Sequence, residues 1–109
     1  MAIIPEVDVK EFATEWRSEA RRPFLLDVRE SHEADFCRIE GSTLIPLGQL
    51  PQRLNELPRD FPIVVHCHHG GRSARAVRYL QEQGFGDVRN LVGGIEAWSL
   101  GADPAVPRY

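Results

Sequence analysis

The sequence predicts an α/β protein, a parallel sheet with helices on both faces. Two observations lead there. Nearly continuous apolar runs at Phe24-Leu25-Leu26-Asp27-Val28 and Ile63-Val64-Val65 suit the strands of a parallel sheet, and Val88-Arg89-Asn90-Leu91-Val92 reads as its last strand. Segments with apolar residues at helical spacing lie between them, so β and α elements alternate along the chain. With 109 residues, 42% of them hydrophobic and 27% charged, the chain is expected to form one soluble domain over 1–109, with about 101–109 as a tail.

Taken in order, Ile3-Ile4 reads as a short edge strand. Asp8 and Glu11 have the spacing of a capping box, and Val9, Phe12, Ala13 and Trp16 follow at helical spacing. A helix is expected over 9–20 with Trp16 in the core, ended by Arg21-Arg22-Pro23 because proline disfavours helical geometry in the residue before it. Asp27 interrupts the first long apolar run near its C-terminal end, the end where open parallel sheets build their sites. It reads as a carboxylate that satisfies loop amides or pairs with an arginine, supporting a site without doing chemistry. Arg29 and Glu30 begin a loop, and Ser31 is expected to cap a short helix through Asp35 or Phe36. Thr43-Leu44-Ile45 is a three-residue strand closed by Pro46.

Leu47, Leu50, Leu54 and Leu57 mark one helical face, with a break near 48–50 and a second start at Pro51. Beyond the central strand, Ser73 opens an amphipathic helix that runs to about Gln83 and stops at Gly84. Ile95, Trp98 and Leu100 belong to a final short helix. The tail holds two prolines and is expected to be a surface strap or partly disordered.

Charge and cysteine usage narrow the function classes. The formal net charge of −3 gives no reason to expect nucleic acid or a membrane surface as partner. The start of the chain has neither a basic region nor a long apolar run, so neither a signal peptide nor a spanning helix is expected. Two cysteines are too few for a disulfide framework, and the cytoplasm is the default location. The basic residues are twelve Arg and one Lys; Arg72, Arg75 and Arg78 lie at or near the start of one helix, placed to steer a small anion.

The chemistry-bearing stretch is Cys67-His68-His69-Gly70-Gly71-Arg72-Ser73. A strand end, a glycine loop and a helix N-terminus converge backbone N–H groups and a helix dipole on one point, which favours an anion. A cysteine there is a thiolate more often than a free one, and the thiolate is the nucleophile. Cys37, with no such setting, reads as a small buried hydrophobe. Neighbouring residues on a strand face opposite ways, so His66, His68 and His69 do not suit one metal ion, and no metal is expected. His66 is expected in the core, with His68 and His69 lining the loop and tuning specificity. Arg72 is suited either to binding substrate oxygens or to bracing the loop against Asp27.

The stretch from Cys67 to Ser73 resembles the active-site loop of the rhodanese family of sulfurtransferases, Cys-x-x-Gly-x-Arg-Ser/Thr. Leu25-Leu26-Asp27-Val28-Arg29-Glu30 resembles that family's Asp-x-Arg strand end. Residues 36–46 resemble a segment that usually reads His-Ile-x-Gly-Ala, with Arg38 standing here in the His position. Gly93-Gly94-Ile95-Glu96-Ala97-Trp98 resembles its C-terminal Gly-Gly-x-x-Ala-Trp.

The resemblance implies a rhodanese-like, five-stranded parallel sheet and a mechanism without a cofactor. Cys67 would attack the outer sulfur of thiosulfate or a persulfide, and the resulting persulfide would pass its sulfur to cyanide, a thiol such as glutathione, or a protein thiol. His68, His69, Gly70, Gly71, Arg72 and Ser73 would hold the substrate, with Asp27 and Arg29 in support. Two alternatives stay open. One is a sulfur-relay or partner-binding module without free-standing turnover. The other is a phosphatase or arsenate reductase on the same fold, although those enzymes resemble Cys-x5-Arg and Cys67 to Arg72 is Cys-x4-Arg.

Overall fold

A computed structural model describes residues 3–109. Five strands, β1 (Glu6–Val7), β2 (Phe24–Asp27), β3 (Thr43–Leu44), β4 (Ile63–His66) and β5 (Val88–Leu91), form one sheet in the order β1-β5-β4-β2-β3. Every pairing is parallel. The register aligns Asp27 with His66 on one face of the sheet and Val65 with Asn90 on the other, so polar side chains stand on both faces near the C-terminal edge of the central strands.

Four helices pack around the sheet: α1 (Val9–Trp16), α2 (Ser31–Phe36), α3 (Gly71–Glu82) and α4 (Gly94–Gly101). Alternating residues of the strands feed two separate cores. Leu26 and Val65 point to one face, with Leu50 and Leu57 and with Ala76, Val77 and Leu80 of α3. Leu25 and Val64 point to the other, with Phe12 and Trp16 of α1 and Ile95 and Trp98 of α4. A strand buried on both sides needs no polar alternation, which is why these runs are nearly all apolar. Each such Leu or Val contributes on the order of 1.5–3 kcal/mol by leaving water. No helix among the described residues is long and apolar enough to cross a membrane.

Several expected boundaries shift, each for a local reason. The first strand is Glu6–Val7, not Ile3-Ile4; Ile3 is exposed. The first helix ends at Trp16, since Arg17, Glu19 and Ala20 are exposed and its apolar stripe has ended. Asp8 does cap it, accepting from the Glu11 N–H at 2.7 Å. The cap of α2 is Glu30, not Ser31, in a reciprocal capping box with Glu33. The leucine-rich segment is a 3₁₀ helix, Leu47–Glu56, whose kink falls at Arg53 rather than at 48–50. Helix α3 starts at Gly71, two residues before Ser73. Leu100 is exposed. The tail is tied down: Val106 is buried in the second core, and its carbonyl accepts from the Ser99 hydroxyl.

Candidate functional site

Cys67 follows the last residue of β4, and its side chain is 1% exposed. Its Sγ accepts hydrogen bonds from the Gly70 N–H at 3.1 Å and the Ser73 N–H at 3.4 Å, and lies 3.3 Å from Ser73 Oγ. Burial works to raise the thiol's pKa. The Ser73 hydroxyl and the amides of Ser73, Gly70 and Arg72 outweigh it, leaving the thiol below its ordinary value. Ser73 is itself fixed, with its Oγ 2.5 Å from Asn90 Oδ1, while Asn90 Nδ2 donates to the Gly70 carbonyl.

The loop's shape comes from two helix starts. Gly70, at φ 119°, turns the chain into α3 and brings its own N–H and that of Ser73 onto the sulfur. On the opposite side, α4 takes the loop's carbonyls: Ile95 N–H donates to the Cys67 carbonyl and Glu96 N–H to that of His68. These two amides belong to the unpaired first turn of α4, so the loop satisfies the helix as the helix fixes the loop. Gly94 makes this contact possible, because a Cβ there would stand 2.4 Å from the Cys67 carbonyl oxygen and 2.5 Å from that of His68.

A web of ion pairs lies beside this loop. Asp27 and Arg29 are fully buried and paired side-on, Arg29 Nη2 at 2.8 Å from Oδ2 and Nε at 3.0 Å from Oδ1. The Arg29 guanidinium also donates to the Cys37 carbonyl and to the Tyr109 hydroxyl. His66 is buried with its Nε2 3.8 Å from Asp27; burial holds its pKa low, against the pull of the carboxylate. Arg72 pairs not with Asp27 but with Glu33, through Nη1 at 2.7 Å and Nη2 at 2.9 Å. Cys37 and Cys67 are both free thiols.

His68 and His69 stack on each other with centroids 3.8 Å apart, and the Tyr109 ring stacks on His68 at 3.8 Å, inclined by 7°. The expected tail therefore supplies a wall of the loop. Of the residues singled out in the sequence, Cys67 and the segment 68–73 converge, and Asp27 and Arg29 stand behind them. Glu33, Asn90 and Tyr109 join the site without having been identified. Glu33 had a signal in its place three residues after Glu30; Asn90 had a weaker one, as a polar residue within an apolar strand. Tyr109 had none, because its partners Arg29, Glu33 and His68 are all remote in sequence.

This strand-loop-helix cradle, closed by a glycine-led second helix on a parallel sheet, defines an α/β protein with a loop whose amides converge on a cysteine sulfur. The family model for the Rhodanese-like domain matches residues 9–100, and the chain belongs to that family. It is 34% identical over 104 residues to a sulfurtransferase of Allochromatium vinosum, an alignment covering 95% of this chain and 96% of that protein. The fold matches the crystal structure of a rhodanese-related protein from Thermoplasma volcanium with TM-score 0.83 and 30% identity, over 96% of this chain and 99% of that one. It also matches part of an NAD-dependent persulfide reductase from A. fulgidus, with TM-score 0.71 and 37% identity, over 87% of this chain but 16% of that one. Other curated relatives are longer too: the chain spans 67%, 30% and 22% of the length of three of them.

Proposed function

We propose that this protein is a sulfurtransferase carrying a sulfane sulfur as a Cys67 persulfide. Membership of the rhodanese-like family and its sulfurtransferase-named relatives support sulfur transfer in general. The observation that carries the finer reading is the buried Cys67 sulfur receiving the Gly70 and Ser73 amides. Donors fixed around a thiolate favour the anion as nucleophile, and they favour it again as persulfide, whose terminal sulfur is also an anion. The Cys67 thiolate attacks the outer sulfur of thiosulfate or of a persulfide R–S–SH. A bond forms between Cys67 Sγ and that sulfur, the bond to sulfite or to R–S breaks, and sulfite or R–S⁻ leaves with the electron pair. A thiophilic acceptor, such as cyanide, a small thiol or a protein thiol, attacks the outer sulfur in turn and restores the Cys67 thiolate. We place this activity in the cytoplasm, where the thiol stays reduced.

Arg72 follows Cys67 after four residues, which makes a smaller ring of amides than a Cys-x5-Arg loop. This favours a single sulfur over a tetrahedral phosphate held for in-line attack. The test is mass spectrometry after treatment with a sulfur donor. One sulfur should add to the wild type and to Cys37→Ser, and none to Cys67→Ser. Sulfur transfer retained by Cys67→Ser would remove the assignment.

A further inference from the structure

The donor is the open half of this reaction, and the ion pair of Arg72 bears on it. Arg72 is the cation that a sulfonate entering the loop would seek. Its guanidinium is already held by both oxygens of Glu33. Glu33 is anchored in turn: its Oε2 accepts from the Glu30 N–H at 2.9 Å, and its Oε1 from the Tyr109 hydroxyl at 2.8 Å. Those four hydrogen bonds fill the acceptor capacity of a carboxylate. Arg72 thus stands in an end-on, two-bond pair whose other member is fixed from two further directions.

The neighbouring cations are committed too. Arg29 is fully buried against Asp27, the Cys37 carbonyl and Tyr109, and Arg108 is paired with Glu96 at 2.6 Å. Arg75 and Arg78 are exposed on α3, where water and salt screen them. Flat ring faces stand beside the loop instead. His69, His68 and Tyr109 are stacked in sequence, and exposed Phe36 meets Tyr109 edge-on with centroids 5.9 Å apart. Burial and the neighbouring His69 lower the pKa of His68, which favours the uncharged ring.

We infer that the committed Arg72–Glu33–Tyr109 network selects a carbon-bound persulfide, R–S–SH, over thiosulfate as the sulfur donor. This deepens the sulfurtransferase reading and rests on it. A thiosulfate dianion must either displace Glu33 from Arg72 or bring its sulfonate up against that carboxylate. A persulfide has no sulfonate, and its carbon chain packs on the ring stack. The balance is simple: Cys67–S⁻ and R–S–SH give Cys67–S–SH and R–S⁻, with no oxidant or reductant. Glu33 and Tyr109 are positioning residues here, acting through Arg72.

The experiment compares initial rates of sulfur loading on Cys67 from thiosulfate and from glutathione persulfide, followed by intact mass. The wild type should favour the persulfide by about tenfold or more in kcat/KM. Glu33→Gln removes the counter-charge, and glutamine can still serve in a capping box. It should shift the ratio of the two kcat/KM values toward thiosulfate by about tenfold, mainly through a lower KM for thiosulfate. Tyr109→Phe, which removes one anchor of Glu33, should shift it the same way by about twofold and carries the test if Glu33→Gln does not fold. A wild type that loads at least as fast from thiosulfate, or a ratio unmoved in the folded variants, overturns the inference. Failure of both donors to load Cys67 overturns the sulfurtransferase reading itself, and this inference falls with it.

Discussion

Gly70-Gly71 leads into α3 and Gly93-Gly94 into α4, and as text the two pairs are interchangeable. In the structure they are not. Of the first pair only Gly70 has a positive φ, and a Cβ there would meet nothing nearer than 3.5 Å. Gly71 is ordinary helix with open space where a side chain would go. Both members of the second pair have positive φ, and both would clash, Gly93 with the Ala97 Cβ at 2.6 Å and Gly94 with the loop carbonyls. The first pair is a backbone requirement at one residue. The second is a requirement of space and backbone together, set by a helix that must touch the loop. A repeated motif can therefore answer to different physics at each occurrence.

Alanine at each of the four positions tests this difference, read by denaturant unfolding and by the pH dependence of Cys67 alkylation. Gly94→Ala should be the most damaging. Overpacking against fixed carbonyls adds to left-handed strain, and together they should cost on the order of 3–5 kcal/mol. Because the loop must move away, Cys67 should also titrate closer to a free thiol, about 8.5. Gly93→Ala should cost about 2–4 kcal/mol, since its clash is with a side chain. Gly70→Ala should cost about 1–3 kcal/mol from strain alone, with slower alkylation below pH 8 because its N–H is a donor to the sulfur. Gly71→Ala should be neutral or stabilising by up to about 1 kcal/mol, since alanine is the better helix former. Equal losses at Gly71 and Gly94 would erase the distinction.

The thiol itself supplies a smaller, signed effect. Its pKa in the folded protein lies below the unfolded value of about 8.5, so ionisation favours the fold. That contribution is complete above the unfolded value and is lost as pH falls through the lowered one. Wild-type stability should therefore rise across that window relative to Cys67→Ser. Parallel stability curves for the two proteins would mean that the Gly70 and Ser73 amides do not favour the anion.

The sheet was legible because strands buried on both faces leave a nearly unbroken apolar run, as at 24–28 and 63–65. The cysteine loop was legible because its parts are contiguous. What could not be read were contacts across the chain. Nothing local in Tyr109 marks it as a partner of His68, Arg29 and Glu33. Arg72 is suited by its position to binding substrate oxygens or to bracing the loop against Asp27, yet its partner is Glu33, which sits on α2. The end of α1 lies at Trp16 rather than at residue 20 because helical propensity continues past Trp16 while burial does not. The leucine spacing at 47–57 gave the correct buried Leu50 and Leu57 but not the 3₁₀ geometry, which admits a similar stripe over a short stretch.

The hydrogen bonds from Ile95 and Glu96 to the carbonyls of Cys67 and His68 also bear on the order of assembly. The cysteine, its glycines and the whole of α3 precede them in the chain, so a ribosome delivers the groups that hydrogen-bond the sulfur before it delivers the segment that fixes the loop. Until α4 docks, the carbonyls of Cys67 and His68 lack the amides that hold them, although all five strands and the Gly70 and Ser73 donors are already made. The second glycine pair thus ties the final shape of the cysteine loop to the docking of α4, a segment made after everything that the loop itself contains.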